Sequence, residues 1–181
     1  MIQDIIKILM VEDNPADAAL IEIQIKKVVA SPEIICVDTF QDFIIALEKS
    51  NPDIILCDYR LQGFNGFEIL KYINTQAQHR IPLVFVTGTI NDEELAANSI
   101  LSGASGYILK NNMSVLHKKL LPHFEKVVGI HKNTPLDKEK RENIEQLQSY
   151  LDKVKHENAM NLDSYNEMRK MLDKLKGLLR E

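Results

Sequence analysis

Residues 52–70 read PDIILCDYRLQGFNGFEIL. Four consecutive apolar residues, Ile54 to Cys57, stop at a carboxylate, Asp58, and a glycine-containing loop follows. A short β-branched run that does not alternate with polar residues is the mark of a strand covered on both faces, as interior strands of a parallel sheet are. Asp58 therefore stands at the carboxyl end of a buried strand, and in open parallel α/β sheets that edge is where the functional crevice lies.

Working outward, the same kind of run recurs on both sides. Strands are expected at Ile5 to Val11, Ile34 to Val37, Ile54 to Cys57, Leu83 to Val86 and Gly106 to Leu109, with longer amphipathic segments between them. Helix starts carry caps: Asn14 before Pro15, Thr39 with Asp42 three residues on, and Asn91 with Glu94 three residues on. Pro82 stands at the entrance of the fourth strand, where a missing N–H does least harm. The pattern is five βα units. Both cysteines, Cys36 and Cys57, fall inside such runs and are expected to be inert core thiols.

The pattern changes after residue 128. Gly129 and Pro135 bracket a short link over 129–136, and no Gly or Pro follows until Gly177. Thr134 can cap a long helix over 137–181. Apolar residues recur there at steps of three and four: Ile144, Leu147, Leu151 and Val154, then Tyr165, Met168, Leu172, Leu175 and Leu179. Asn158 and Asn161 interrupt this seam at the same two positions of the repeat. The spacing predicts a coiled coil and a homodimer, with a helix folded back on the first domain as the alternative.

The 181 residues are 45% hydrophobic and 27% charged, with a formal net charge of -4, as in a globular protein. Residues 1–128 hold 11 basic and 16 acidic side chains, so no concentrated basic surface argues for nucleic acid. No apolar run approaches the roughly 20 residues that span a bilayer, and the N-terminus lacks the pattern of a secretory signal. A cytoplasmic protein without membrane or nucleic-acid contact is expected.

The strand exits carry the chemistry. The first strand ends in Glu12 and Asp13, the third in Asp58, the fourth in Thr87 and the fifth in Lys110. Alone, each reads as a cap, a turn residue or a surface charge. Together they put three carboxylates, a hydroxyl and an ammonium on one edge. Crowded carboxylates need a compensating cation, and oxygen ligands completed by water suit Mg²⁺. Such a site is suited to phosphoryl transfer, with Asp58 as the nucleophile forming an acyl phosphate.

Four segments, KILMVEDN (7–14), PDIILCDYRLQGFNGFEIL (52–70), PLVFVTGT (82–89) and GASGYILK (103–110), resemble the signature blocks of response-regulator receiver domains, in the right order. The resemblance implies a flavodoxin-like, doubly wound (βα)5 parallel sheet of order 2-1-3-4-5 over 1–128, followed by the long C-terminal helix. It implies Asp58 as phosphoacceptor, Asp13 and Glu12 as the acidic pair holding Mg²⁺ with Asp58, and the backbone carbonyl of Arg60 as a further metal ligand. Thr87 and Lys110 would bind phosphoryl oxygens, Gly88 would keep access open, and Tyr107 would be an aromatic switch moving with Thr87. A histidine kinase or phosphotransfer protein would be the donor. No catalysis is implied beyond the chain accepting and losing its own phosphoryl group.

Two positions depart from the family. Asn111 stands where a proline, commonly cis, follows the lysine, so that loop is expected to be trans or strained. Gln62 stands where a proline is frequent, while Gly66 matches. The five histidines show no metal-ligand spacing, and His156 followed by Glu157 matches a kinase phosphoacceptor stretch only faintly. A flavin site is disfavoured because Glu12 and Asp13 would repel its phosphate. Two other readings stay open: an adaptor in which the coiled coil does the work, and a fragment of a hybrid kinase.

Overall fold

A computed structural model describes residues 1–75, 81–88, 93–132, 166, 168–170 and 172. The chain divides into two compact units, Met1–Val127 and Val128–Glu181. The first holds a five-stranded sheet: β1 (Ile6–Val11), β2 (Pro32–Val37), β3 (Ile54–Cys57), β4 (Leu83–Thr87) and β5 (Gly106–Leu109). The strand order is β2-β1-β3-β4-β5 and every pairing is parallel. Helices α1 (Pro15–Lys26), α2 (Phe40–Ser50), α3 (Gly66–Thr75), α4 (Glu93–Leu101) and α5 (Leu116–Lys132) connect the strands or follow them. This is the flavodoxin-like order that the family resemblance implies.

Local chemistry sets the helix starts. The Asn14 side chain accepts from the N–H groups of Ala16 and Asp17, and Pro15 presets φ in the first turn. Thr39 Oγ1 accepts from the Asp42 N–H at 3.1 Å and donates to the Asp42 carboxylate at 2.6 Å. The predicted Asn91 cap lies outside the described residues.

Side-chain alternation sorts the sheet into two covered faces. Leu9, Val11, Ile55, Cys57, Leu83 and Phe85 pack with Phe43 of α2 and Ile69, Leu70 and Ile73 of α3. Ile8, Met10, Ile54, Leu56, Val84 and Val86, one step out of phase, are buried as well. α5 covers this second face, because a Cβ on Gly106 would run into the His123 ring. α1 lies beside it, tied by Gln24 Oε1 to His117 Nδ1 at 2.9 Å. Each fully buried Ile, Leu or Phe contributes about 1.5–3 kcal/mol, so the two faces supply most of the drive to fold.

Two expectations need correction. β2 is not covered on both faces: it is the sheet's outer strand, with β1 as its neighbour, and Ile35 is 43% exposed. Cys36 is accordingly exposed rather than a core thiol, whereas Cys57 is buried. The link expected from residue 129 also begins too early, since α5 runs through Gly129 to Lys132. One interior glycine costs only about 1 kcal/mol, less than neighbouring helical turns can offset. The remainder of that link and the coiled-coil seam lie outside the described residues, apart from isolated positions. Among the described residues, no helix is long and apolar enough to cross a membrane.

Candidate functional site

Register brings the strand exits to one level. Cys57 pairs with Val11 on one side and Phe85 on the other, so Glu12 and Asp58 leave the sheet side by side. Thr87, paired with Leu109, ends β4 one step further on, and Lys110 follows directly. Alternation then separates the residues by face. Glu12, Asp58 and Lys110 share one parity, while Phe85, Thr87 and Tyr107 share the other.

The ammonium of Lys110 is the centre of the first group. Its Nζ lies 2.6 Å from Glu12 Oε2, 2.7 Å from Asp58 Oδ2 and 2.9 Å from Asp17 Oδ2. Lys110 and Glu12 are nearly sealed from water, with side chains 6% and 1% exposed, and Asp58 is 11% exposed. Burial opposes the lysine's charge, but the hydrogen bonds it donates to Asp17, Asp58 and Glu12 outweigh that and push its pKa up. Burial raises the Glu12 pKa despite the pull of Lys110, and the nearby Asp58 charge adds to the rise. Lys110 thus supplies part of the positive charge that these acids need.

Asp58 is held at several points. Its Oδ1 accepts from the Arg60 N–H at 3.1 Å, and its own N–H donates to the Val11 carbonyl at 2.9 Å. The Cys57 thiol donates to the Asp58 carbonyl at 2.9 Å, and burial pushes that thiol's pKa far up, which keeps it protonated. Gly66 opens α3 against this segment: a Cβ there would lie 2.6 Å from Phe85 Cε1 and 2.7 Å from the Asp58 carbonyl oxygen. No side chain fits so close to the acid's backbone.

The remaining predicted residues are placed as follows. Thr87 is fully buried at the end of β4. Tyr107 packs against Phe85 with ring centroids 6.4 Å apart, its hydroxyl also buried. Gly88 is exposed, and among the described residues nothing lies within 4 Å of a Cβ built on it. Arg60 has an exposed side chain and bridges Asn65 across the loop after β3. The peptide following Lys110 is trans, and Lys110 opens a short 3-10 helix, Lys110–Val115, distorted at Asn112.

Asp13 departs from the expected set. Its Oδ2 accepts from the Gln62 N–H at 2.8 Å, a donor that a proline at 62 would not have. Among the described residues, the acids whose oxygens lie within 4.8 Å of one another are Glu12, Asp17 and Asp58. Asp17 was not singled out from the sequence. Its signal was its place in the first turn of α1, three residues past the Asn14 cap and so close to the β1 exit. Glu12 and Asp58 offer hard carboxylate oxygens, donors that fit Mg²⁺.

Comparison with known proteins agrees with this geometry. Residues 8–121 match the family model of the response regulator receiver domain. Over 111 residues the chain is 32% identical to the protein-glutamate methylesterase/protein-glutamine glutaminase 2 of Paramagnetospirillum magneticum, a match covering 58% of this chain and 30% of that protein. It is 29% identical over 108 residues to the nitrate/nitrite response regulator protein NarL of Escherichia coli (strain K12), covering 58% of this chain and 47% of NarL. The chain therefore spans less than half the length of either relative. Among solved structures, the phosphorylated cyanobacterial phytochrome response regulator RcpA matches at a TM-score of 0.60 and 28% identity, over 69% of this chain and 95% of that one. With the strand order, the acidic edge and the matched span in agreement, the chain belongs to the response regulator receiver domain family.

Proposed function

We propose that Asp58 accepts a phosphoryl group from the phosphohistidine of a histidine kinase or phosphotransfer protein, and that the chain signals through the resulting change. The observation that carries this reading is the 2.7 Å ion pair between Asp58 Oδ2 and Lys110, at the strand exits of a receiver sheet. In the transfer step an Asp58 carboxylate oxygen forms a bond to phosphorus, the P–N bond breaks, and its electron pair stays on the imidazole nitrogen. Glu12 and Asp58 are the acids that would hold Mg²⁺, with the Arg60 carbonyl completing the protein's share and Asp13 joining once released from Gln62. The bound ion would neutralise charge on the migrating phosphoryl oxygens.

The protein's own groups do the rest. Lys110 pairs with the charge that builds on the phosphoryl group, and Thr87 donates to one of its oxygens. Thr87 and Tyr107 share a sheet face, so a shift of the threonine toward the phosphoryl group is felt by the ring beside Phe85. The similar regulator RcpA in its phosphorylated form supports this chemistry. Output through a homodimer of the 137–181 segment completes the proposal.

A small phosphodonor with Mg²⁺ tests it. Intact mass should show one added phosphoryl group on the wild type and none on Asp58→Asn, and light scattering on the same samples should show a dimer. An unmodified wild type sinks the phosphoacceptor role. A monomer in every sample sinks the dimer.

A further inference from the structure

We propose that Asp17 is a positioning residue, whose carboxylate occupies one donor of the Lys110 ammonium until a phosphoryl oxygen on Asp58 takes that donor over. The inference rests on Asp58 being the phosphoacceptor, and it assigns a role to a helix residue outside the strand exits.

An ammonium has three N–H donors. In Lys110 each has an acceptor, at 2.6 Å on Glu12, 2.7 Å on Asp58 and 2.9 Å on Asp17. No donor is left for an incoming anion. A phosphoryl group brings strong acceptor oxygens and a charge of about -1.5 to -2, so one of the three bonds must be given up.

Burial decides which one. The Glu12 side chain is 1% exposed, and losing Lys110 would leave its carboxylate without water or partner. The Asp17 bond is the longest of the three, and its side chain is 31% exposed, so water replaces the lost partner at little cost. Asp17 also stands in the first turn of α1, where the partial positive charge of the helix N-terminus tolerates a released carboxylate. The exchange links the state of Asp58 to the start of α1. Glu12 Oε1, which accepts from the Asn14 cap N–H at 3.2 Å, fixes the other end of that connection.

The experiment uses the full chain with Mg²⁺ and beryllium fluoride, a non-covalent stand-in for the phosphoryl group, titrated by fluorine NMR. Asp17→Asn keeps the side-chain shape and removes the competing charge, so it should bind beryllium fluoride about threefold tighter, the scale of one partly exposed ion pair. Asp17→Glu should return to the wild-type affinity. In the unliganded, metal-free protein, Asp17→Asn should also move the Lys110 ammonium nitrogen resonance. Unchanged or weaker binding by Asp17→Asn overturns the proposal. So does tighter binding with the Lys110 resonance unmoved, because the carboxylate would then act at a distance and not through Lys110. A wild type that takes up no beryllium fluoride defeats the phosphoacceptor reading instead, and this inference with it.

Discussion

Lys110→Met takes the ammonium out of the acid cluster while keeping a flexible apolar stem in its place. Glu12 and Lys110 are nearly closed to water, so the cost is that of breaking a buried ion pair, typically 3–5 kcal/mol. Asp17 at 31% exposed and Asp58 at 11% retain some water, which places the loss near the lower end, about 3 kcal/mol. Protonation limits that cost. Burial already raises the Glu12 pKa above 4.5, and removing Lys110 deletes the main opposing pull, so the pKa climbs further. A carboxyl group with a folded pKa above its unfolded value makes the folded state more stable at low pH. That stability is lost as pH rises through the unfolded and then the folded pKa, at about 1.4 kcal/mol per unit of displacement. The gap between wild type and variant should therefore be small near pH 5 and widest near pH 8. For a unit of this size about 3 kcal/mol lowers Tm by roughly 10 °C. Thermal melts followed by circular dichroism at both pH values, with and without Mg²⁺, measure it, and Mg²⁺ should restore part of the loss in the variant. An equal gap at both pH values, or a variant more stable than wild type near pH 8, would refute the assignment of Lys110 as the cluster's compensating cation.

Two glycine substitutions should shift stability in opposite directions. Gly66→Ala forces a Cβ to within 2.7 Å of the Asp58 carbonyl oxygen and should cost about 1–3 kcal/mol in urea denaturation, with slower phosphoryl uptake. Among the described residues nothing lies within 4 Å of a Cβ on Gly129 inside α5, so Gly129→Ala should gain up to about 1 kcal/mol; shifts of the same sign would contradict the packing described. His123 provides a pH test. Burial, with Lys126 nearby, lowers its pKa below 6.5, so its neutral form stabilises the fold above that value, and the contribution is lost as pH falls and the unfolded chain takes the proton. His123→Gln should lose less Tm than wild type between about pH 6.5 and 5, and equal losses would show that His123 does not titrate against folding.

Much of this protein was legible residue by residue. β3 and β5 fall at the positions that the apolar runs mark, and the caps at Asn14 and Thr39 form as their residue types require. These are local signals, carried by side-chain period and by hydrogen bonds within a few residues. Glu12, Asp58 and Lys110 were also found by position alone, because parallel strands end on one side. The openness of β2 was not legible in its own residues. Ile34, Ile35 and Cys36 look like any buried run, and it is the strand order, which the family resemblance implied and the structure shows, that leaves one flank of β2 without a neighbour.

The amino-acid sequence by itself determined five βα units, the acidic edge and the lysine that meets it, since each follows from backbone period and chain direction. Tertiary structure alone decided which acids that lysine holds. Asp13 and Asp17 stand four residues apart, yet Asp13 turns to the Gln62 amide in the loop after β3 and Asp17 reaches Lys110 from α1. The choice depends on how a helix and a loop pack across the sheet, and groups 49 and 93 positions away in the chain set it through space.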